Sequence, residues 1–204
     1  MFYQLPLENV LRFGDVVQGY ILAFPEVADS LENKEFKINI NSNDLCVVLT
    51  PCCSIRDVIN LVPLKKLTSD LFTNPFLVED ITRINRKMTQ FEAMKASRRE
   101  RLTPEAMKEA MESPKDYQWK SRFVYEENAR FKDYDIVMPN KIVHKVNSYW
   151  IDFKDVHKTR CTFVKSPEVF PYESKLLQLT VDTRRELMDK LHEYYRIPDE
   201  DFER

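Results

Sequence analysis

Hydrophobic and polar positions alternate with a period of two in "EFKINI", where Phe36, Ile38 and Ile40 share one face. That period is a strand's. Upstream, "RFGDVVQGYILAF" over residues 12–24 gathers Val16, Val17, Tyr20, Ile21 and Leu22 behind a Gly14-Asp15 turn signal, with Gly19 marking a bulge or bend. Residues 25–35 form a polar loop, and "NSND" is a turn before the continuous apolar run "LCVVLT". A run apolar on both faces belongs inside a sheet. "DVINLVPLKKL" supplies another strand. About four short strands with short connections over residues 12–67 suit a small barrel or sandwich.

The period changes at Asn74. "NPFLVEDITRINRKM" places Asn74 as N-cap, Pro75 at N1, and Phe76, Leu77, Asp80, Ile81 and Ile84 along one helical face. Thr89 and Glu92 have capping-box spacing, and Thr103-Pro104 opens a further helical stretch. Strand patterns return at 118–126, 134–138, 141–146, 148–153 and 161–164. "LLQLTVDTRRELMDKLHEYYRIP" begins as a strand and ends as a helix, with Leu187, Met188, Leu191, Tyr194 and Tyr195 as its apolar stripe ahead of Pro198. The expected fold is α+β: a small β core over 1–73, a helical insertion over 74–115, and a second β part with a closing C-terminal helix over 116–204, all one domain.

Composition narrows the function classes. Only two glycines, Gly14 and Gly19, occur among 204 residues, so neither a P-loop nor a dinucleotide fingerprint exists. No nucleotide cofactor is expected. A net charge of −2 exerts no global pull on nucleic acid or anionic lipid, so such binding needs a local patch. No apolar run reaches the roughly 20 residues of a membrane span, and the first residues lack a secretory signal's pattern. The four cysteines are Cys46, Cys52, Cys53 and Cys161; a bond between the adjacent Cys52 and Cys53 would be strained. A reducing cytoplasm is the expected compartment.

The order of several pieces carries a resemblance. "RFGDVV", then "CVVLT", then "VINLVPLKKL", and late in the chain "SKLLQLTVDTRREL", resemble the MazF/PemK-type SH3-like barrel over about residues 12–67 and 174–192. The resemblance implies a barrel, a toxin–antitoxin or phage-defence setting in a prokaryote, and metal-free cleavage of single-stranded RNA. The family places an Arg-Pro before its apolar strand; here "NSNDLC" puts Asp44-Leu45 at that position. The family's strand-end Ser/Thr is matched by Thr50. An Arg there stabilises charge developing on phosphorus, so its loss implies loss of cleavage.

Four candidate chemistries follow. Cys52 and Cys53 sit after a Thr-Pro strand stop with Arg56 near in sequence, the setting of a reactive thiol or of two packed cysteines. His157-x3-Cys161, with Cys52 or Cys53 and His144, supplies zinc-type ligands, yet no Cys-x2-Cys or His-x3-His pair occurs and no metal is expected. Glu79-Asp80 and Asp152/Asp155 are acid–base candidates, or simply charges paired with Lys154 and Lys158. Residues 83–108 hold eight Lys/Arg against three acids, a local +5 that includes Arg83, Arg86, Lys87, Arg98, Arg99 and Arg101. That segment suits a protein partner, RNA or DNA, or a solvated face. Asp182–Arg204 carries −3.

The expected function is therefore a non-enzymatic or catalytically degenerate barrel that binds a partner. The alternatives are an endoribonuclease with a relocated arginine, using Thr50, Arg56 and Arg12, and a Cys- or zinc-dependent enzyme at Cys52/Cys53.

Overall fold

The computed structural model describes residues 1–18, 21–27, 36–42, 45–55, 58–69, 84–85, 121–137, 141–160 and 175–196, with the backbone alone for 21–27, 36–42, 52 and 160. Twelve strands are seen among these residues: β1 Val16–Gln18, β2 Ile21–Val27, β3 Phe36–Ser42, β4 Leu45–Val48, β5 Val58–Pro63, β6 Lys65–Lys66, β7 Arg122–Tyr125, β8 Tyr134–Val137, β9 Val143–Val146, β10 Tyr149–Asp152, β11 His157–Arg160 and β12 Lys175–Leu177. An α-helix, α1, spans Val181–Tyr195. The fold is thus mixed, mostly antiparallel strands with a helix near the C-terminus. Apart from Ile84 and Asn85, the expected helical insertion lies outside the described residues.

The chain divides into two compact units. One takes Met1–Leu64 and Asp155–Thr180; the other takes Lys65–Lys154 and Val181–Arg204. The first unit is built on a five-stranded sheet in the order β11-β5-β4-β1-β12. No ladder joins its two end strands among the described residues, so the sheet is open. The sequence signals for β1 and β4 are met in register: Val16 faces Val47 and Val17 faces Cys46. Gly14 has φ 85°, a conformation open to glycine, and its N–H donates to the Val48 carbonyl at 2.7 Å. The turn signal thereby becomes part of the ladder.

Both faces of this sheet are packed. Register sets Val17, Cys46, Val48, Leu61 and Ile59 on one face, with His157 and Thr159 beyond them on β11. Leu11 joins that cluster and Ile55 packs against it. Val16, Val47 and Val62 lie on the opposite face and are fully buried. This explains why "LCVVLT" shows no alternation: neither of its faces meets water.

The same unit contains the β2–β3 hairpin. β2 runs on to Val27, past the expected start of a loop at Pro25, because Val27 pairs with Phe36 across the ladder. Pro25 is tolerated since a two-stranded sheet has only edge strands.

The second unit holds a three-stranded sheet, β6-β10-β7, and a β8–β9 hairpin. "DVINLVPLKKL", expected as one strand, is two: β5 belongs to the five-stranded sheet and β6 to the three-stranded one. Pro63, which cannot donate to a ladder, stands at the break. Phe123, Tyr125, Ile151 and Phe153 are buried in this unit. Tyr194 of α1 lies 5.8 Å from the Phe153 ring, and the Tyr195 hydroxyl donates to the Phe153 carbonyl at 3.1 Å. The buried face of α1 is Thr183, Leu187 and Lys190, spaced i, i+4, i+7. It is rotated from the expected stripe: Met188 and Leu191 are half-buried and Tyr195 is exposed.

Candidate functional site

Thr50 lies two residues beyond the end of β4 and is buried. Its Oγ1 accepts the Asn60 N–H at 2.7 Å, and Leu49 N–H donates to the Asn60 carbonyl at 2.9 Å. The expected strand-end hydroxyl is therefore built into the β4–β5 connection. Pro51 then ends the ladder, and Cys52–Ser54 form a 3-10 turn. Cys53 is exposed, with its sulfur 3.8 Å from the Ser54 hydroxyl. The Cys52 side chain and Arg56 lie outside the described residues.

Cys46 is the thiol the structure buries. It points into the apolar face of the five-stranded sheet, and burial, aided by the Asp155 carboxylate, pushes its pKa up to about 12. A thiol held protonated is a poor nucleophile at neutral pH.

Asp155 and His157 stand at the start of β11. His157 Nε2 lies 2.6 Å from Asp155 Oδ1, and both side chains are about four-fifths covered, at 18% and 23% exposure. An ionised carboxylate only accepts, so Nε2 carries the proton in this pair. An imidazole oriented by a carboxylate is the arrangement of a general base. The sequence had offered Asp155 mainly to lysines, and the structure gives it to the histidine. Asp152 Oδ1 instead accepts the Lys154 N–H at 3.0 Å.

A third constellation was not anticipated. Lys175, on β12, buries its ammonium beside Asp15: Nζ lies 2.7 Å from Asp15 Oδ2, with side-chain exposures of 1% and 0%. The ammonium also donates to Gln178 Oε1 and the Val10 carbonyl, each at 2.8 Å, and to the Glu8 carbonyl at 3.3 Å. Arg12 N–H donates to the same Asp15 oxygen at 2.7 Å. Arg12, a candidate for a relocated catalytic arginine, pairs through Nε with Glu8 Oε2 at 2.6 Å. That hydrogen bond holds the Glu8 carboxyl below its ordinary range. Lysine in a strand carries no signal of burial, and its partners lie up to 167 positions away; sequence reading had no means to find it.

In the second unit, the three-stranded sheet presents cations on aromatic rings. The Arg122 guanidinium lies 4.2 Å from the Trp150 ring centre and Lys65 Nζ 5.8 Å from it. Lys66 Nζ is 5.3 Å over Tyr134. Register places Arg122, Val124, Trp150 and Lys65 on one face. Trp150 Nε1 donates to the Lys66 carbonyl at 2.8 Å, so the indole is fixed at both its ring and its polar edge.

Among the described residues no three His, Cys, Asp or Glu side chains converge to hold a metal ion. Cys161, needed for the zinc alternative, lies outside those residues, as do Arg83, Arg86, Lys87, Arg98, Arg99 and Arg101 of the basic segment. Among the described residues no helix is long and apolar enough to cross a membrane. No protein-family profile, curated protein or solved structure matches the chain.

Proposed function

We propose that this protein is a binding or accessory module of the MazF/PemK-like SH3-like barrel kind that has lost RNA cleavage, and that it serves a toxin-like or defence system in a prokaryote. The observation that carries the reading is Thr50. Its hydroxyl accepts a backbone N–H within the β4–β5 connection and its residue is 6% exposed, so it serves as a structural pin. The register adds support. Leu45, at the family's proline position, is a ladder residue facing Gln18, and its carbonyl accepts the Leu64 N–H at 3.0 Å. The five-stranded antiparallel sheet supplies the strands a small barrel requires. The partner is a protein, or RNA or DNA, met through the basic segment over 83–108.

The deciding experiment is incubation of the purified protein with single-stranded RNA in EDTA. The expected outcome is intact RNA for both wild type and Thr50→Val. Thr50→Val is also expected to lower stability by about 1 kcal/mol, the net worth of one hydrogen bond. Cleavage by wild type that disappears in Thr50→Val overturns the reading.

A second reading, an endoribonuclease with relocated groups, draws on the Asp155–His157 pair as general base. Cleavage that survives Thr50→Val and disappears in His157→Ala selects it.

A further inference from the structure

The N-terminal segment has little apolar anchorage of its own in view. Phe2 and Leu11 are buried, yet Leu5 is exposed and Leu7 half-buried. The segment is nevertheless held in one register. Tyr3 bridges to Leu179 in antiparallel fashion, Gln4 N–H donates to the Gln178 carbonyl at 2.8 Å, and Thr180 N–H donates to the Phe2 carbonyl at 3.1 Å. Glu8 N–H donates to Gln178 Oε1 at 2.9 Å.

Phe2 and Leu11 anchor the two ends of this strap, but between them a stretch with few inward side chains is weakly specified by packing. Something else must fix it. Lys175 meets that requirement. Its ammonium has three protons, and the three shortest acceptors are Asp15 Oδ2, Gln178 Oε1 and the Val10 carbonyl, with the Glu8 carbonyl sharing at 3.3 Å. Two of these acceptors belong to the strap itself. The Gln178 amide is oriented by donors from both sides, Lys175 Nζ and Glu8 N–H, which fixes its oxygen toward them. Any slip of the strap by one residue removes the Glu8 and Val10 carbonyls from a buried charge. That penalty falls on wrong registers only, which is how a buried polar group specifies structure.

We propose that the buried Lys175–Asp15 pair is a register lock, a conformational device that holds Met1–Arg12 as a strap along Gln178–Thr180. Lys175 is a positioning residue in this role. It acts through the strap's backbone and takes no part in chemistry. The lock does not depend on the functional reading above.

The test is hydrogen exchange resolved to single amides in the full chain. Lys175→Met alone leaves the Asp15 carboxylate buried without its ammonium, so the paired variant Asp15→Asn/Lys175→Met is compared beside it. In the paired variant, the amides of Gln4, Glu8 and Thr180 are expected to exchange roughly tenfold faster or more, while those of Leu49 and Leu64, bonded to Asn60 and Leu45, keep their wild-type protection. Failure of the single variant to fold, with a folded paired variant, supports the lock as well. Three outcomes overturn it: unchanged exchange at Gln4, Glu8 and Thr180 in the paired variant; equal acceleration at these amides and at Leu49 and Leu64; or a paired variant that does not fold, which makes the pair a prop for the whole unit.

Discussion

Burial separates two cysteines only seven positions apart. Cys46 is in the sheet interior with its pKa pushed up to about 12, whereas Cys53 is exposed on a 3-10 turn. In native protein at neutral pH, iodoacetamide is expected to label Cys53 and to leave Cys46 unlabelled, read by peptide mass spectrometry. Labelling of Cys46 at the Cys53 rate contradicts the burial. The same thiol sets an alkaline limit. The folded state keeps its proton above the ordinary value of 9.0, so unfolding releases one; stability is intact below that pH and declines between 9.0 and about 12. Cys46→Ala removes this particular decline. The sequence placed the cysteine question at Cys52 and Cys53 because adjacent cysteines after a Thr-Pro are conspicuous. It could not rank Cys46 as inert, because an apolar run has no marker for which of its residues lies deepest. Lys175 was invisible for the opposite reason. Lysine is almost never buried, and only partners distant in the chain make an exception.

At the scale of elements, single polar side chains take on work that backbone usually does. The Tyr134 hydroxyl accepts the Leu67 N–H at 2.8 Å and donates to the Ser148 carbonyl, tying the segment after β6 to β8 and to the turn before β10. Burial raises its pKa above the ordinary tyrosine value. Tyr134→Phe strands a buried N–H and a carbonyl, so a loss of about 1–3 kcal/mol is expected in urea denaturation. A loss below about 0.5 kcal/mol would mean the hydroxyl is not holding these segments together. Asn85 similarly meets Val124 with both halves of its amide: Nδ2 donates to the carbonyl at 2.7 Å and Oδ1 accepts the N–H at 2.6 Å. A side chain thus closes part of the β7 edge. The strands themselves were largely readable, since alternation and β-branched runs report local burial: β3, β4, β10 and α1 lie where their patterns point. Sheet membership was not readable. β5 and β6 share one apolar run, yet β5 pairs with β4 and with His157–Arg160 whereas β6 pairs with Tyr149–Trp150, and these partners assign them to different sheets.

For the whole molecule, the governing fact is that each compact unit is drawn from two separated stretches. A fragment Met1–Leu64 contains β1, β4 and β5 but lacks β11 and β12, two of the five strands of its sheet. It is expected to show no cooperative thermal transition by circular dichroism, whereas the full chain does. A cooperative transition in that fragment would mean the first stretch is self-sufficient. The division has a further bearing on how the chain is made. Synthesis runs from the N-terminal side, so β5 is complete long before β11 and β12 leave the ribosome. At about 5–20 residues per second, the wait from Pro63 to Leu177 is on the order of ten seconds. Throughout it, the residues of β1, β4 and β5 lack the partner strands of both outer sides, and their apolar side chains stay uncovered. That interval is when a chaperone that holds unfinished chains has the most to protect.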